Sequence, residues 1–157
     1  MLETRTATIA DAALISSHRR AMFAAMGGIA ESVLDNVCRA SEAWTARMIT
    51  DGKYLGWITS DDNRPIASAG MLILDWPPHP FDPMGETRAY LLNVFVEAEY
   101  RGRGLARALV ELSLGEAGRR GIRVISLHAS HQARAIYESL GFHATNEMML
   151  IDGKAKT

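Results

Sequence analysis

One stretch of the sequence, from Tyr90 to Gly121, joins a strand pattern to a helical pattern through a turn that holds two glycines. The strand part is apolar and rich in β-branched and aromatic residues, namely Leu91, Leu92, Val94, Phe95 and Val96. From Leu105 the apolar spacing becomes helical, and three leucines are predicted to share one face: Leu105, Leu109 and Leu112. The stretch therefore predicts a strand, a tight turn and a helix in direct succession.

The turn, Arg101-Gly102-Arg103-Gly104, has the composition of a phosphate-binding site. The first amides of a helix have no intrahelical partner, and together with the helix dipole they attract an anion. Glycines let that anion approach the backbone closely. Arg101, Arg103 and Arg107 add positive charge. The turn predicts a phosphate site, and the alternative interpretation is a tight connection without a ligand.

Spacing excludes two common phosphate-binding loops. The sequence contains no G-x-x-x-x-G-K-[ST], which argues against a P-loop nucleotide hydrolase. No third glycine follows Gly102 and Gly104 at the spacing of G-x-G-x-x-G, which argues against a dinucleotide-binding fingerprint.

Two other segments do match a known pattern. Residues 101–106 read R-x-x-G-x-A, and residues 133–142 read A-x-x-x-Y-x-x-x-G-F, with a predicted strand at 122–128 between them. The first resembles the acyl-CoA-binding signature of the GCN5-related N-acetyltransferases, and the second resembles a downstream segment of the same family. The resemblance covers residues 90–143 by motif and the whole chain by length and element order.

The remaining pattern predicts one domain over residues 1–157, of the α/β class, with a mixed central sheet flanked by helices. This agrees with the acyl-CoA N-acyltransferase fold that the resemblance implies. The predicted elements are a strand at 3–8, a helix opened by a capping box at 8–11, a broken helical region at 32–50, hairpin strands at 54–59 and 66–74, a strand at 87–96, the helix from 105, a strand at 122–128, a helix at 131–140 and a last strand at 142–151.

The resemblance also implies a site for acetyl-CoA as cosubstrate, with no metal. It places the thioester-bearing arm beside the main chain of Val94 and Val96, and an amide near Val94 as donor to the thioester carbonyl. The implied cofactor contacts are Val94, Phe95, Val96, Arg101, Gly102, Arg103, Gly104, Leu105, Ala106, Arg107, Ser130, Ala133 and Tyr137. At Ser130 the family often has an asparagine that contacts the cofactor. A serine hydroxyl reaches less far, so this contact is the weakest of the set.

Tyr137 occupies the position of the family's general acid. A phenol, with a pKa of about 10, is protonated at neutral pH and can donate to a departing thiolate. The alternative is a packed helix tyrosine that anchors Phe142. For the general base the order of preference is Glu86 and then Tyr90; a water chain is a further route, and Asn93 and His128 are polar residues near the predicted cleft with a structural role as the alternative.

The acceptor implied by the family is a primary amine of a small molecule or a peptide. The proline-rich loop 75–85, with Trp76, His79 and Phe81, is either one wall of the acceptor pocket or an exposed connection. A second hypothesis keeps the fold without turnover, as an acyl-CoA-binding regulatory module. Homodimerisation is compatible with the family but no stretch of the sequence requires it.

Composition limits the other classes of function. The formal net charge is −1, which gives no reason to expect binding to nucleic acid or to an acidic membrane surface. Cys38 is the single cysteine, so no intramolecular disulfide and no cysteine metal cluster is expected. No apolar run approaches the length of a membrane span, and a cytoplasmic location is the expectation.

Overall fold

The computed structural model describes residues 1–151 of the chain. Its strands are β1 (Leu2–Thr6), β2 (Tyr54–Asp61), β3 (Arg64–Asp75), β4 (Thr87–Val96) and β5 (Ile125–Leu127). Its α-helices are α1 (Ala12–Met26), α2 (Glu31–Thr50), α3 (Leu105–Arg119) and α4 (Arg134–Ser139), and short 3₁₀ turns span Ile9–Asp11 and Ala98–Tyr100. Among these described helices, none combines the length and the apolar character that crossing a bilayer requires.

The five strands form one sheet in chain order, which confirms the predicted mixed sheet. Pairing from β1 through β4 is antiparallel, and β4 pairs with β5 in parallel. The change of direction follows from the connections, since β2 and β3 are joined by a hairpin whereas β4 and β5 are joined through α3.

Each face of the sheet is covered by helix. On one face Leu109, Val110 and Ala117 of α3 pack against Met71 and Leu91 of the sheet. On the other face the buried cluster contains residues of α1 and the sheet, with α2 packed at its edge: Ala7, Ile15, Tyr54 and Ile58, joined by Trp44 and Met48. A fully buried Leu, Ile or Met contributes roughly 1.5–3 kcal/mol by removal from water, so these two layers fix the sheet between the helices.

The first helix and the hairpin form as their sequences predict. Thr8 and Asp11 make the capping box, with the Thr8 amide donating to Asp11 Oδ2 at 2.8 Å. The Arg5 guanidinium, which donates to both oxygens of Asp11, is the main cause that lowers the pKa of Asp11 to about 2. In the hairpin, Asp62 and Asn63 both have positive φ, as a two-residue turn between twisted strands requires.

Two helix predictions are wrong in detail. The region 32–50 is one continuous helix, because neither Ala40 nor Ser41 removes a backbone donor or prevents helical geometry. Leu112 is 37% exposed, and the buried face of α3 consists of Leu109, Val110, Ser113 and Ala117. Leu112 therefore lies beside the apolar stripe rather than on it.

The end of the chain differs most from prediction. The strand predicted at 142–151 does not form within the described residues, and β5 is limited to three residues. A strand needs a neighbouring ladder, and the short β5 offers little edge for one. Consequently Met148, Met149, Leu150 and Ile151 are exposed.

Candidate active site

The parallel pair β4–β5 opens into a fork. Pairing runs from Ala89 opposite Ile125 to Leu91 opposite Leu127, and it stops there. Beyond Leu91, the residues of β4 that remain paired have partners in β3 only: Leu92, Phe95 and Val96. The second half of β4 therefore has one side of its backbone open, at the position where the resemblance places the thioester-bearing arm.

A β-bulge lies at the start of this open half. Between two paired positions β3 advances from Gly70 to Ser68 while β4 advances from Leu92 to Phe95, so β4 holds one extra residue. Asn93 has φ of 55°, in the left-handed region that asparagine tolerates better than most residues. The bulge turns Asn93 toward α1, on the same face of the sheet as Leu92.

Three polar side chains hold the bulge: buried Asn93 and Tyr54, and half-buried Arg19. Arg19 Nη1 donates to Asn93 Oδ1 at 2.8 Å, and Asn93 Nδ2 donates to the Tyr54 hydroxyl at 3.0 Å. Burial is the main cause that raises the pKa of Tyr54 to about 12. A Cβ on Gly70 would collide with the Tyr54 hydroxyl, so a glycine there leaves the space that this phenol needs.

A second polar contact joins α1 to the sheet nearby. His18 Nδ1 lies 2.8 Å from Ser68 Oγ, and the His18 ring stacks on Phe95 with 4.5 Å between centroids. Burial lowers the pKa of His18 to about 4, so the imidazole is neutral at pH 7. Phe95, an expected cofactor contact, thus packs its side chain against α1 while its backbone stays in β4.

The predicted phosphate-binding turn follows β4. Gly102 and Gly104 have φ of 73° and 80°, which explains why glycine occupies both positions. The Ala108 amide makes the first helical bond, to Gly104 O at 3.0 Å. Among the described residues, none of the six backbone amides from Gly102 to Arg107 donates a hydrogen bond to the protein. This run of free amides includes those of Leu105 and Ala106, and it fits a phosphate or pyrophosphate group.

The arginines of the turn are anchored at its borders. Arg101 Nε donates to Val96 O at 3.1 Å, and Arg103 Nη2 donates to Glu99 O at 3.0 Å. Arg107 connects α3 to α4 through Ser139 Oγ at 2.8 Å, and it also pairs with Glu111. All three arginines add positive charge close to the free amides.

Tyr137 lies on α4 with only 7% of its surface exposed. It packs edge-on against Phe142, with 5.8 Å between ring centroids, as the structural interpretation of the motif expects. None of the hydrogen bonds among residues 1–151 uses its hydroxyl, and burial raises the pKa of Tyr137 above its usual value. A protonated phenol without a protein partner suits an acid that donates to a ligand.

Ser130 and Ala133 lie just before α4. Ser130 Oγ accepts a hydrogen bond from the Ala133 amide at 3.3 Å, so the hydroxyl supports the turn that leads into the helix. The predicted helix at 131–140 begins three residues later than expected, at Arg134. The contact of Ser130 with a cofactor stays a prediction.

The two candidate bases occupy different places. Tyr90 stands in the last paired part of β4, and its hydroxyl contacts His128 Nδ1, which follows β5. Glu86 is exposed just before β4 begins and is four residues from Tyr90, roughly 13 Å at strand spacing. The structure therefore brings Tyr90 and His128 together at the base of the fork and leaves Glu86 at the outer end of the strand.

The predicted loop 75–85 is irregular apart from Asp75, which ends β3, and one bridge between His79 and Asp82. Trp76 stacks on the Arg88 guanidinium at 4.0 Å, which holds the start of the loop against β4. A shallow depression lies far along the strand from the bulge, and it is lined by Asp75, Trp76, Pro77, Pro78 and Glu86.

Sequence reasoning missed the role of Arg19 and Tyr54. Both lie far from Asn93 in the sequence, and their convergence depends on how α1 crosses the sheet. The one available signal was Asn93 itself, a polar residue within an apolar strand pattern.

Comparison with known proteins places the chain in a family. Residues 23–142 match the model of the acetyltransferase (GNAT) family. A crystal structure of a GCN5-related N-acetyltransferase from Ralstonia eutropha JMP134 superposes with a TM-score of 0.91 and 33% identity, over 97% of this chain and 99% of that one. A predicted acetyltransferase from Clostridium acetobutylicum, solved with acetyl-CoA, has a TM-score of 0.85 and 25% identity, over 97% and 96% of the two chains.

Curated relatives match over shorter regions. Human N-acetyltransferase 8B is 31% identical over 94 residues, which are 58% of this chain and 39% of that protein. The [ribosomal protein bS18]-alanine N-acetyltransferase of Escherichia coli (strain K12) is 43% identical over 58 residues, which are 35% of this chain and 39% of that protein. The chain thus spans about two fifths of the length of these curated relatives. On the family match over most of its length and the shared fold, the chain belongs to the acetyltransferase (GNAT) family.

Proposed function

We propose that this protein transfers an acetyl group from acetyl-CoA to a primary amine of a small molecule or peptide, by direct attack of the amine on the thioester. The observation that carries the proposal is the run of six free amides at 102–107, which begins one short 3₁₀ turn after the open half of β4. A pyrophosphate on those amides and an extended arm along β4 would lead an acyl thioester to the fork.

Different residues around the fork are assigned to polarising the thioester carbonyl and to protonating the departing thiolate. We assign an amide near Val94 as hydrogen-bond donor to the thioester carbonyl, as the family resemblance implies, and one such donor typically lowers a barrier by about 3–4 kcal/mol. The amine nitrogen forms the new C–N bond, and the C–S bond breaks. Tyr137 donates its phenolic proton to the departing sulfur, consistent with burial keeping the phenol protonated.

The proton of the amine leaves on the other side of the fork. Tyr90 and His128 contact each other there, and they form a chain through which a proton passes toward solvent, since His128 is exposed. Glu86 retains a role only if a long acceptor reaches the outer end of β4.

A pair of tyrosine variants tests the assignment. Tyr137→Phe keeps the ring against Phe142 and removes only the hydroxyl. We expect kcat to fall about 100-fold or more, because general acid catalysis contributes at least that factor. Acetyl-CoA affinity, measured by titration calorimetry, stays within about 3-fold because the ring and the turn are intact.

Tyr100→Phe is the matched control, since it removes a hydroxyl that donates to Asp61 rather than facing the fork. Equal activity of wild type and Tyr137→Phe would contradict the acid assignment. Saturable acetyl-CoA binding without thiol release on any amine would favour the non-catalytic acyl-CoA-binding module.

A further inference from the structure

Helix α1 carries two adjacent arginines with opposite surroundings. Arg20 pairs with Asp35 at 2.8 Å and also with Glu31, so its charge is neutralised by α2. Arg19 is partly buried, and no carboxylate among residues 1–151 lies within ion-pair distance of it. The two side chains therefore provide a comparison within one helical turn.

The contacts of Arg19 fix its guanidinium without neutralising it. Its Nη1 donates to Asn93 Oδ1, and its guanidinium carbon lies 4.8 Å from the centre of the Phe23 ring. Burial lowers the pKa of Arg19 below its usual value, and the nearby Tyr54 phenol offsets that effect only in part. A partly buried cation that lacks an opposite charge is costly, and one neutral amide oxygen compensates only in part.

The unused donors have a defined geometry. A guanidinium presents five N–H groups in one plane, and two of them can donate parallel hydrogen bonds to the two oxygens of a carboxylate. Arg19 Nη1 donates to Asn93 Oδ1, and the Phe23 ring covers one face of the guanidinium. The remaining edge is suited to one planar anion.

The location connects this cation to the proposed reaction. Asn93 is two residues beyond Leu91, the last residue of β4 that pairs with β5, and it precedes Val94. Asn93 turns toward α1, whereas the buried side chains of α3 cover the opposite face of the sheet. An anion at Arg19 would thus approach the fork from the side opposite to α3.

We propose that Arg19 binds a carboxylate of the acceptor, so that the amine acetylated by this protein belongs to an amino acid or a similar small molecule with a carboxylate a few bonds from the amine. This proposal rests on the proposed function and narrows its substrate class. The carboxylate supplies the negative charge that the partly buried guanidinium lacks. Because Asn93 and Phe23 hold the guanidinium in place, the bound carboxylate orients the neighbouring amine toward the thioester.

Matched acceptors and matched variants test the proposal. Thiol release from acetyl-CoA is measured with a panel of amino acids, each beside its own carboxamide, which keeps the amine and removes the anion. Wild type is expected to use the carboxylates with kcat/KM about 10- to 100-fold above that for the amides, the range that hydrogen bonds to a charged group supply.

Variants of Arg19 distinguish binding of the acceptor carboxylate from structural support of the bulge at Asn93. In Arg19→Gln the preference for carboxylates collapses to within about 3-fold, and acetyl-CoA affinity is unchanged. Arg19→Lys keeps the charge and retains part of the preference. Arg20→Gln, the control, keeps the full preference. Equal losses for carboxylates and amides in Arg19→Gln would overturn the proposal and assign the residue to support of Asn93 alone.

A binding measurement makes the outcome independent of turnover. With CoA present, amino acids are expected to raise the thermal midpoint of wild type but not of Arg19→Gln, and the carboxamides raise neither. If acetyl-CoA does not bind, or no amine releases thiol, the proposed function fails; if no carboxylate stabilises wild type more than Arg19→Gln, the Arg19 proposal fails.

Discussion

The two halves of β4 differ in how their backbones are paired. The first half, Thr87 to Leu91, is paired with β3 on one side and with β5 where that strand extends, and it buries Ala89 and Leu91. The second half, Leu92 to Val96, is paired on one side only and contains a bulge. An open backbone edge is a liability unless something covers it, which is the basis for placing an extended ligand there.

The comparison shows how stability is divided between the halves. The first half is held by its ladder and by α3, whereas the second depends on polar contacts from α1 through Arg19, His18 and their partners. We therefore expect changes to the bulge to lower stability and activity, and changes to the turn to weaken acetyl-CoA binding.

The largest effect is expected at the turn after β4. Gly104→Asp places a carboxylate and a side chain at a position with φ of 80°, beside the free amides. Acetyl-CoA affinity should fall at least about 100-fold, because the carboxylate repels the pyrophosphate and competes for its amides. Titration calorimetry measures the affinity.

Gly52→Asp is the control for this variant. Gly52 has φ of 68° and open space around it, so an aspartate there meets similar backbone strain away from the turn. Equal acetyl-CoA affinity in Gly104→Asp and Gly52→Asp would contradict the assignment of the turn as the binding site of the pyrophosphate.

A smaller effect is expected at the bulge. Asn93→Ala removes both hydrogen bonds of the side chain and leaves alanine in a left-handed conformation. We expect unfolding in urea to lose about 2 kcal/mol, since a buried unpaired group costs about 1–3 kcal/mol. The variant should also lose activity, because the amide near Val94 is no longer fixed.

Asn93→Gly separates the two causes. It loses the same hydrogen bonds but relieves the backbone, so its stability should lie between those of wild type and Asn93→Ala. A glycine variant with full activity would show that the bulge needs no side-chain support.

The smallest effect concerns pH. The pKa of His18 is lowered in the folded protein, so the unfolded chain binds the proton first and stability is lost as pH falls from about 6.5 toward 4. Between pH 7 and 5 this group alone should reduce the unfolding free energy by about 1–2 kcal/mol.

His18→Gln should remove that part of the pH dependence, while His143→Gln, at an exposed site beyond α4, should leave it. Urea unfolding at several pH values provides the measurement. The same pH dependence in wild type and His18→Gln would place the cause elsewhere.

Much of the fold and part of the site were predictable because their signals are local. The turn at Gly102 and Gly104 and the helix after it depend on neighbouring residues, and both form as predicted. The prediction of a strand at 142–151 was wrong, because a strand needs a partner strand and the pattern of a single segment does not reveal whether one is available. Arg19 escaped detection for a related reason, since its partner Asn93 lies 74 positions away.

The most direct test of the central claim is titration of the purified wild-type protein with acetyl-CoA, followed in the same samples by thiol release on added amines. We predict saturable binding with one site per chain, weakened by Gly104→Asp, and thiol release with at least one amine. Absence of saturable binding would contradict the assignment of the turn and the fork, and with it the account of how this chain acts.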